Sequence, residues 1–341
     1  FIEEPEAHLH AQLQQAFIRK VMDILSLKGP DKASYTSQVV VTTHSTHMLY
    51  ERGFRPIRYF RRNRASSMLT SDVLNLSVFY DSVDPDVRTF LERYLKLAHC
   101  DLFFADAAVL VEGNVERLLL PQMIASAAPR LQSSYLTILE IGGAFGYRFK
   151  ALIDFLGLTT LIITDLDSVF GPTAVPAGTA EAEADAGEPA EGGDGAAEGE
   201  AEDAAEKDDD DDDEAAAGAA QKPGKACIAG HPGAVTSNQT LLQWLPKFGT
   251  VDALWEATAE QKTQMRANDN DALVRVAYQC RTDVTWGAGT LALAGRTLEE
   301  AFALENLEWC QHKDRKPLQL RIAKADKKDL VTLANRIHKR V

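Results

Sequence analysis

One apolar stretch that ends in a pair of acidic residues constrains the fold of this chain more than any other feature. Val109 to Val111 close an apolar run, and Gly113 breaks it where the residue pattern changes to helical spacing. The run is predicted to be a buried strand that is followed directly by a helix. Glu112 is therefore expected at the end of a strand, and Glu116 in the first turn of the next helix.

The same arrangement recurs further along the chain. Leu161 to Thr164 form a second predicted buried strand, and Asp165 and Asp167 follow it. Because these aspartates are two residues apart, their side chains point to the same side as the chain leaves the strand. Two strand ends thus supply four carboxylates.

Four carboxylates at two strand ends predict a metal site. In open α/β sheets the carboxyl ends of parallel strands form the ligand crevice, so acids from two neighbouring strands converge there. Carboxylates without cations repel one another, and a hard divalent ion is the usual resolution. Each motif alone is weak evidence, because glutamates also favour the first turns of helices and aspartates also favour turns. Their order and strand contexts together favour a functional site.

The composition is that of an ordinary globular protein, with 45% hydrophobic and 8% aromatic residues in 341. No apolar run approaches the roughly twenty residues that a membrane span needs, and the opening residues do not resemble a signal peptide. We therefore expect a soluble, cytoplasmic protein without a membrane partner. The four cysteines are widely spaced without a Cys-x-x-Cys pair, which argues against a zinc site and a disulfide framework.

The formal net charge of −14 is concentrated in one segment. Residues 175–225 contain eighteen Asp and Glu against three Lys, a local net of −15 that leaves +1 for the rest of the chain. The segment lacks core-forming residues, so it is predicted to be a disordered insertion. A solvated spacer is favoured over a segment that shields a basic groove or mimics DNA. The remaining charge permits a nucleic-acid partner.

The N-terminal residues contain another pair of strand ends. Phe1 to His10 is predicted to run from a strand end through the acidic pair Glu3 and Glu4 into a helix. Residues 38–43 form a buried strand that ends at His44. The alternative interpretation of these two segments is purely structural, with a polar strand end and a histidine that belongs to the core.

Both patterns resemble known domains. The order of strand, Glu-Gly-x-x-Glu, helix and then strand, Asp-x-Asp resembles the Toprim domain of topoisomerases, primases and the nucleases of the overcoming-lysogenization-defect (OLD) family. The N-terminal strand ends resemble the second half of an ABC-type ATPase domain. The chain contains no Gly-x-x-x-x-Gly-Lys-Ser/Thr phosphate loop, so we expect an upstream ATPase half outside this sequence and little ATP binding or hydrolysis by this piece alone.

The resemblance implies a role for each acidic residue of the Toprim part. Glu112, Glu116, Asp165 and Asp167 would hold two Mg²⁺ or Mn²⁺ ions around a scissile phosphate. In OLD-type nucleases a glutamate or aspartate of a Thr/Ser-aromatic-or-Leu-Glu motif joins the metal site, and Glu299 is the matching position. These five residues are the predicted catalytic and metal-binding set.

The resemblance also implies roles for the ATPase residues. In the complete ATPase, Glu3 would help hold Mg²⁺, Glu4 would orient the attacking water and His44 would contact the γ-phosphate of ATP. The family further uses a downstream lysine to stabilise charge at the phosphate. This chain offers Lys313, Lys316, Lys324, Lys327 and Lys328, none of them in a matching sequence context, and a lysine beyond Val341 is the alternative.

Two helix starts leave structural and functional interpretations open. Ser237 or Asn238 would cap a helix, and the Thr-Ser-Asn triplet also resembles one in OLD-type proteins that could reach a phosphate; the cap is favoured. Thr297 is predicted to cap another helix with Glu300 as its capping-box partner, which leaves Glu299 available for the metal site.

Four further segments have local structural predictions. A short strand at 56–59 is predicted to close the ATPase sheet, and the basic cluster 61–64 would contact DNA phosphates or form a solvated loop. Residues 85–99 are predicted to form an amphipathic helix. Residues 251–277 are predicted to be mostly helical, with an edge strand at 274–281 as the alternative.

The predicted architecture is an α/β Toprim parallel sheet flanked by helices, with a helical addition, preceded by the end of an ABC-type ATPase domain. The boundaries are 1–60 for the ATPase part, 61–101 for a linker and amphipathic helix, 102–174 for the Toprim core, 175–225 for the acidic insertion and 226–341 for the remainder. The predicted function is metal-dependent cleavage of DNA. The resemblance implies that the full protein is a homodimer and that it works with a helicase partner. A repair-type ATPase and a non-catalytic DNA-binding Toprim scaffold are the alternatives.

Overall fold

The computed structural model describes most of the chain, namely residues 1–28, 34–36, 38–53, 55–64, 66–97, 100–142, 145–172, 224–287, 289–310, 312 and 330–340. The predicted acidic insertion lies outside the described residues, apart from Gly224 and Lys225. The candidate lysines between 313 and 328 also lie outside them. Within the described ranges no helix is both long and apolar enough to cross a membrane.

The described N-terminal residues form a two-stranded parallel sheet, two antiparallel strand pairs and four α-helices. Its elements are β1 (Ile2–Glu3), α1 (Ala11–Leu25), β2 (Ser26–Lys28), β3 (Ser34–Thr36), β4 (Val41–Thr42), α2 (Thr46–Arg52), β5 (Arg58–Arg62), β6 (Ser71–Asn75), α3 (Leu76–Ser82) and α4 (Pro85–Leu97). β1 and β4 pair in parallel, so the acidic pair at the end of β1 lies beside the strand that precedes His44. Ile18, Val21 and Met48 form a small core beneath them.

β5 does not extend the sheet of β1 and β4, so the prediction that a strand at 56–59 closes the ATPase sheet is wrong. β5 pairs antiparallel with β6 as a separate hairpin. The alternation along β5 turns Arg62 outward and Arg61 inward. Arg61 donates hydrogen bonds to the backbone carbonyls of Leu156 and Asn270, each at 3.0 Å. Arg61 of the predicted basic cluster thus anchors the hairpin to the central domain.

The central domain is built on a five-stranded sheet. Its elements are β7 (Ala107–Val111), α5 (Asn114–Ala127), β8 (Leu136–Glu140), α6 (Lys150–Leu156), β9 (Thr159–Ile163), β10 (Ser168–Phe170), β11 (Ala234–Thr236), α7 (Gln239–Gln243), α8 (Val251–Glu256), β12 (Thr263–Gln264) and β13 (Val274–Ala277). The order across the sheet is β12-β13-β9-β7-β8, and only β12 pairs antiparallel. Leu110 and Ile162 on the central strands are fully buried. The predicted parallel sheet is confirmed.

The mostly helical prediction for 251–277 is wrong. Helix α8 ends at Glu256, and the strands β12 and β13 follow it. Val274 and Val276 are buried, whereas Arg275 between them is exposed, which is the period of a strand. β13 is an inner strand because β12 covers its outer edge.

The C-terminal part forms a second, smaller core. Its elements are β14 (Thr282–Trp286), β15 (Gly289–Leu293), α9 (Leu298–Glu305), α10 (Leu307–Cys310) and α11 (Leu330–Arg340). Its core residues are Val284, Ala303, Leu304, Leu307, Leu330, Leu333, Ala334 and Ile337. The predicted helical addition therefore contains a β-hairpin as well, and α9 begins beside the central sheet.

Candidate metal centre

Glu112 and Asp165 meet at the carboxyl edge of the central sheet. β7 and β9 are neighbouring parallel strands with Val111 opposite Ile163, so the residues after them start side by side. Glu112 Oε2 accepts hydrogen bonds from the Asp165 backbone N–H and from Thr164 Oγ1, both at 2.8 Å. The structure therefore brings together the two strand ends that the sequence singled out.

The aspartates of the second strand end are held by residues from later in the chain. Asp165 Oδ1 accepts hydrogen bonds from the Leu298 N–H at 3.1 Å and from Gln279 Nε2 at 2.5 Å. Asp167 Oδ1 accepts from Arg296 Nη2 at 3.0 Å. Asp167 also has a φ of 45°, a left-handed conformation that costs about 1–3 kcal/mol when the residue carries a side chain. Such strain is concentrated at functional sites.

Glu116 caps its own helix. It is 8% exposed, and its Oε2 accepts a hydrogen bond from the Gly113 N–H at 3.1 Å. This is the structural role expected of a glutamate in a first helical turn. Its negative charge nevertheless acts on the neighbouring acids, because it helps to raise the pKa of Glu112 and of Asp165. Metal binding by Glu116 stays a prediction.

The electrostatics of the cluster favour a bound cation. Burial, and after it the charge of Glu112, raises the pKa of Asp165 to about 8. Burial also raises the pKa of Glu112, against the opposing hydrogen bonds from Asp165 and Thr164. Buried carboxylates that repel one another keep their protons unless a cation replaces them. The oxygen donors present here suit a hard ion such as Mg²⁺ or Mn²⁺.

Glu299 follows Leu298, whose backbone N–H contacts Asp165, but the side chain of Glu299 is exposed. Thr297 caps α9 as predicted, since its Oγ1 accepts from the Glu300 N–H at 3.4 Å. The segment contacts the aspartates through Arg296 and Leu298. The place of Glu299 in the metal set stays a prediction.

Sequence reasoning missed Gln279 and Arg296. Gln279 follows β13, whose carboxyl end lies beside that of β9, so the same strand-end rule would have identified it had β13 been predicted as an inner strand. Arg296 precedes the predicted Thr-Leu-Glu motif, and only the folded contacts show that its guanidinium reaches Asp167. Glu140, at the end of β8, pairs with Arg117 at 3.8 Å.

Asn238 connects helix α7 to the acidic strand end. It is 2% exposed, and its Oδ1 accepts from the N–H groups of Thr240 and Leu241, which confirms the predicted cap. Its Nδ2 donates to Thr164 Oγ1 at 2.7 Å and to the Asp165 carbonyl at 3.1 Å. The amide therefore satisfies four polar groups next to the candidate metal centre.

Replacing Asn238 with alanine is expected to lower the free energy of unfolding by about 2–4 kcal/mol, because a cap and a buried donor are lost together. Asn238→Ser should recover about 1 kcal/mol, since serine retains the capping oxygen. Urea unfolding measures both variants. The matched control is Thr250→Ala, which removes an exposed cap from α8. An Asn238→Ala variant no less stable than the control would contradict the buried role.

The predicted ATPase residues also meet at neighbouring strand ends. His44 Nδ1 lies 2.8 Å from Glu4 Oε1, and Glu4 has a left-handed φ of 43°. Glu3 ends β1 and is exposed. Glu6, absent from the predicted set, accepts from the His44 N–H at 2.6 Å and from Thr43 Oγ1 at 2.8 Å.

The pKa of Glu6 and the spacing of the possible metal ligands characterise this N-terminal cluster. Burial would raise the pKa of Glu6, but the hydrogen bonds from His44 and Thr43 lower it overall. Among the described residues, Glu4, Glu6 and His44 form the one group whose potential metal ligands all lie within 4.8 Å of one another. The Toprim acids are thus more widely spread than this group.

The central parallel sheet with acidic residues at its strand ends has the architecture of a Toprim fold. A family model described as "Overcoming lysogenization defect protein-like, TOPRIM domain" matches residues 103–167. A second, described as "AAA ATPase domain", matches residues 1–49. The first match contains the Glu-Gly-x-x-Glu and Asp-x-Asp motifs and the second contains Glu3, Glu4 and His44, so both comparisons agree with the resemblance that the motifs predicted.

Two curated relatives make the comparison more specific. "Endonuclease GajA" of Bacillus cereus strain HuB5-5 is 33% identical over 177 residues, which cover 49% of this chain and 26% of the relative. "Endonuclease GajA" of Bacillus cereus strain VD045 is 27% identical over 167 residues, with the same coverage of each chain. The chain spans about a quarter of the length of these relatives.

Proposed function

We propose that this chain belongs to a DNA endonuclease that hydrolyses phosphodiester bonds with divalent metal ions. The convergence of Glu112 and Asp165 at the sheet edge is the observation that carries the proposal. The raised pKa of both carboxyls adds support, since a dication would relieve their repulsion. The name of the two relatives supports the same reaction class.

Glu112, Glu116, Asp165, Asp167 and Glu299 would hold the metal, and the first four are the better supported by position. When bound there, two Mg²⁺ or Mn²⁺ ions would supply an activated water and charge stabilisation at the leaving oxygen. A phosphodiester of DNA is the proposed substrate, and no covalent intermediate with the protein is required.

Glu112 is the proposed bridging ligand or general base. Its Oε2 is fixed by Thr164 and the Asp165 backbone, which sets the orientation of the whole carboxylate. The raised pKa of Glu112 brings the group closer to the range in which it can accept and release a proton near neutral pH.

Regulation by the ATPase domain is the second part of the proposal. The complete ATPase would bind ATP and Mg²⁺ through Glu3, Glu4 and His44. The ring of His44 lies 5.8 Å from that of Phe104, just ahead of β7, so movement at the histidine has a direct route to the Toprim strand. The amphipathic helix α4 is a second route, because its buried face packs into the central core.

The whole protein is further proposed to act in phage defence, as a homodimer and with a helicase partner. These proposals rest on the family resemblance. The acidic centre itself supports only the nuclease reaction.

Supercoiled plasmid provides the test. We expect this chain to nick or cut it with Mg²⁺ or Mn²⁺ and to leave it intact with EDTA. Glu112→Gln should remove the activity, whereas Glu256→Gln at an exposed helix end should retain it. Cutting in EDTA, cutting that survives Glu112→Gln, or no cutting with any metal would contradict the proposal.

A further inference from the structure

The loop before α9 forms hydrogen bonds with both aspartates of the Asp-x-Asp segment. Arg296 Nη2 donates to Asp167 Oδ1 and its Nε donates to the Ser168 carbonyl, each at 3.0 Å. The Asp167 N–H in turn donates to the Arg296 carbonyl at 3.3 Å. The Leu298 N–H donates to Asp165 Oδ1 at 3.1 Å. One short loop therefore fixes both aspartates.

The contact with the Arg296 guanidinium fixes an aspartate whose backbone conformation is unfavourable. Asp167 has a left-handed backbone, so its position must be imposed by its surroundings. The two donors of Arg296 come from one planar fork, which fixes direction as well as distance. Both partners of this ion pair are mostly buried, with side-chain exposures of 21% and 24%. The pair is thus better ordered than an exposed surface ion pair.

Arg296 is itself held by the C-terminal helices. Its backbone N–H donates to Glu300 Oε2 at 2.9 Å, and Glu300 Oε1 lies 2.7 Å from His338 Nδ1 on α11. Glu300 is 6% exposed. A Cβ at Gly295 would lie 2.2 Å from the Ala301 nitrogen, so the loop is packed directly on α9. These contacts give the arginine a rigid support.

We propose that Arg296 is a positioning residue for the metal-binding aspartates. Its Nη2 occupies Asp167 Oδ1 and leaves the other carboxylate oxygen for the ion, while its positive charge lies against the Asp167 carboxylate. The motif around Glu299 thus contributes to the centre through the preceding arginine. This inference rests on the proposed metal-dependent function.

Direct binding of Mn²⁺, measured by titration calorimetry, tests the inference without relying on cleavage. Arg296→Ala should weaken Mn²⁺ binding about 10–100-fold, the usual effect of removing a residue that orients a metal ligand. Arg296→Lys should also weaken Mn²⁺ binding at least about tenfold, because one ammonium cannot reproduce the planar fork. The control Arg281→Ala removes an exposed arginine that pairs with Asp252 and should bind like the wild type. Arg296→Ala binding as tightly as the wild type, or more tightly, would overturn the inference.

A double-mutant cycle in EDTA separates this inference from the proposed function. Asp167→Asn should change the unfolding midpoint much less in the Arg296→Ala background than in the wild type, because the two residues share one contact. Additive effects would overturn the positioning role. A wild type that fails to bind Mn²⁺ would contradict the proposed function, and the EDTA cycle would then decide the role of Arg296 by itself.

Discussion

Asp165→Asn is expected to reduce metal-dependent DNA cleavage by about a thousandfold or more, since a metal ion contributes several kcal/mol to such a transition state. Asparagine keeps the size of the side chain and an oxygen that can accept from Leu298 and Gln279. It removes the negative charge that a divalent ion requires. The loss should therefore appear in the cleavage rate, with little change in the fold. Initial rates of plasmid nicking in Mn²⁺ provide the measurement.

Asp252→Asn is the matched control for this prediction. Asp252 lies on α8 with a side-chain exposure of 68% and pairs with Arg281. The control should cleave DNA within about twofold of the wild type, because exposed ion pairs contribute little. An Asp165→Asn variant that retains the wild-type rate would remove Asp165 from the catalytic set.

The same substitution is expected to stabilise the metal-free chain at alkaline pH. The pKa of Asp165 is raised to about 8 in the folded state by burial and by the charge of Glu112, against about 3.9 when unfolded. The contribution of this carboxyl to stability is therefore fully present below pH 4 and is lost as the pH rises towards 8. The wild type should lose stability relative to Asp165→Asn by up to about 1.4 kcal/mol per pH unit across this range.

Urea unfolding in EDTA between pH 5 and pH 9 measures this difference. Adding Mn²⁺ at pH 8 should restore the stability of the wild type but not that of the variant, because only the native wild-type centre binds the ion tightly. A difference between the two proteins that stays constant with pH would show that Asp165 titrates normally. The centre would then lack the repulsion between buried carboxylates that we assign to it.

Short-range patterns predicted the strands that matter most for the centre. The apolar run before Glu112 lies in β7 and the run before Asp165 lies in β9, whose residues are buried or half-buried, so local sequence determined where each acid would leave the sheet. The parallel order then followed from the intervening helices. Asn238 was also predictable, because an asparagine ahead of an apolar helical run is a frequent cap.

Contacts between distant segments could not be predicted in the same way. β5 lies in a hairpin because of its pairing with β6 and its Arg61 contacts, neither of which is visible in five residues of sequence. Buried and exposed residues alternate over only 4 positions in β13. This pattern is too short to predict a strand among the polar residues around it. Arg296 lies far from Asp167 along the chain, and only the tertiary fold brings their side chains together.

Localising bound Mn²⁺ tests the central claim most directly. We would titrate Mn²⁺ into the wild type, Asp165→Asn and Glu4→Gln and record the free ion by electron paramagnetic resonance. We predict that Asp165→Asn loses the Mn²⁺ binding on which cleavage depends, while Glu4→Gln retains it. Binding that survives in Asp165→Asn and disappears in Glu4→Gln would place the ion in the ATPase part and contradict a metal centre at the Toprim sheet edge.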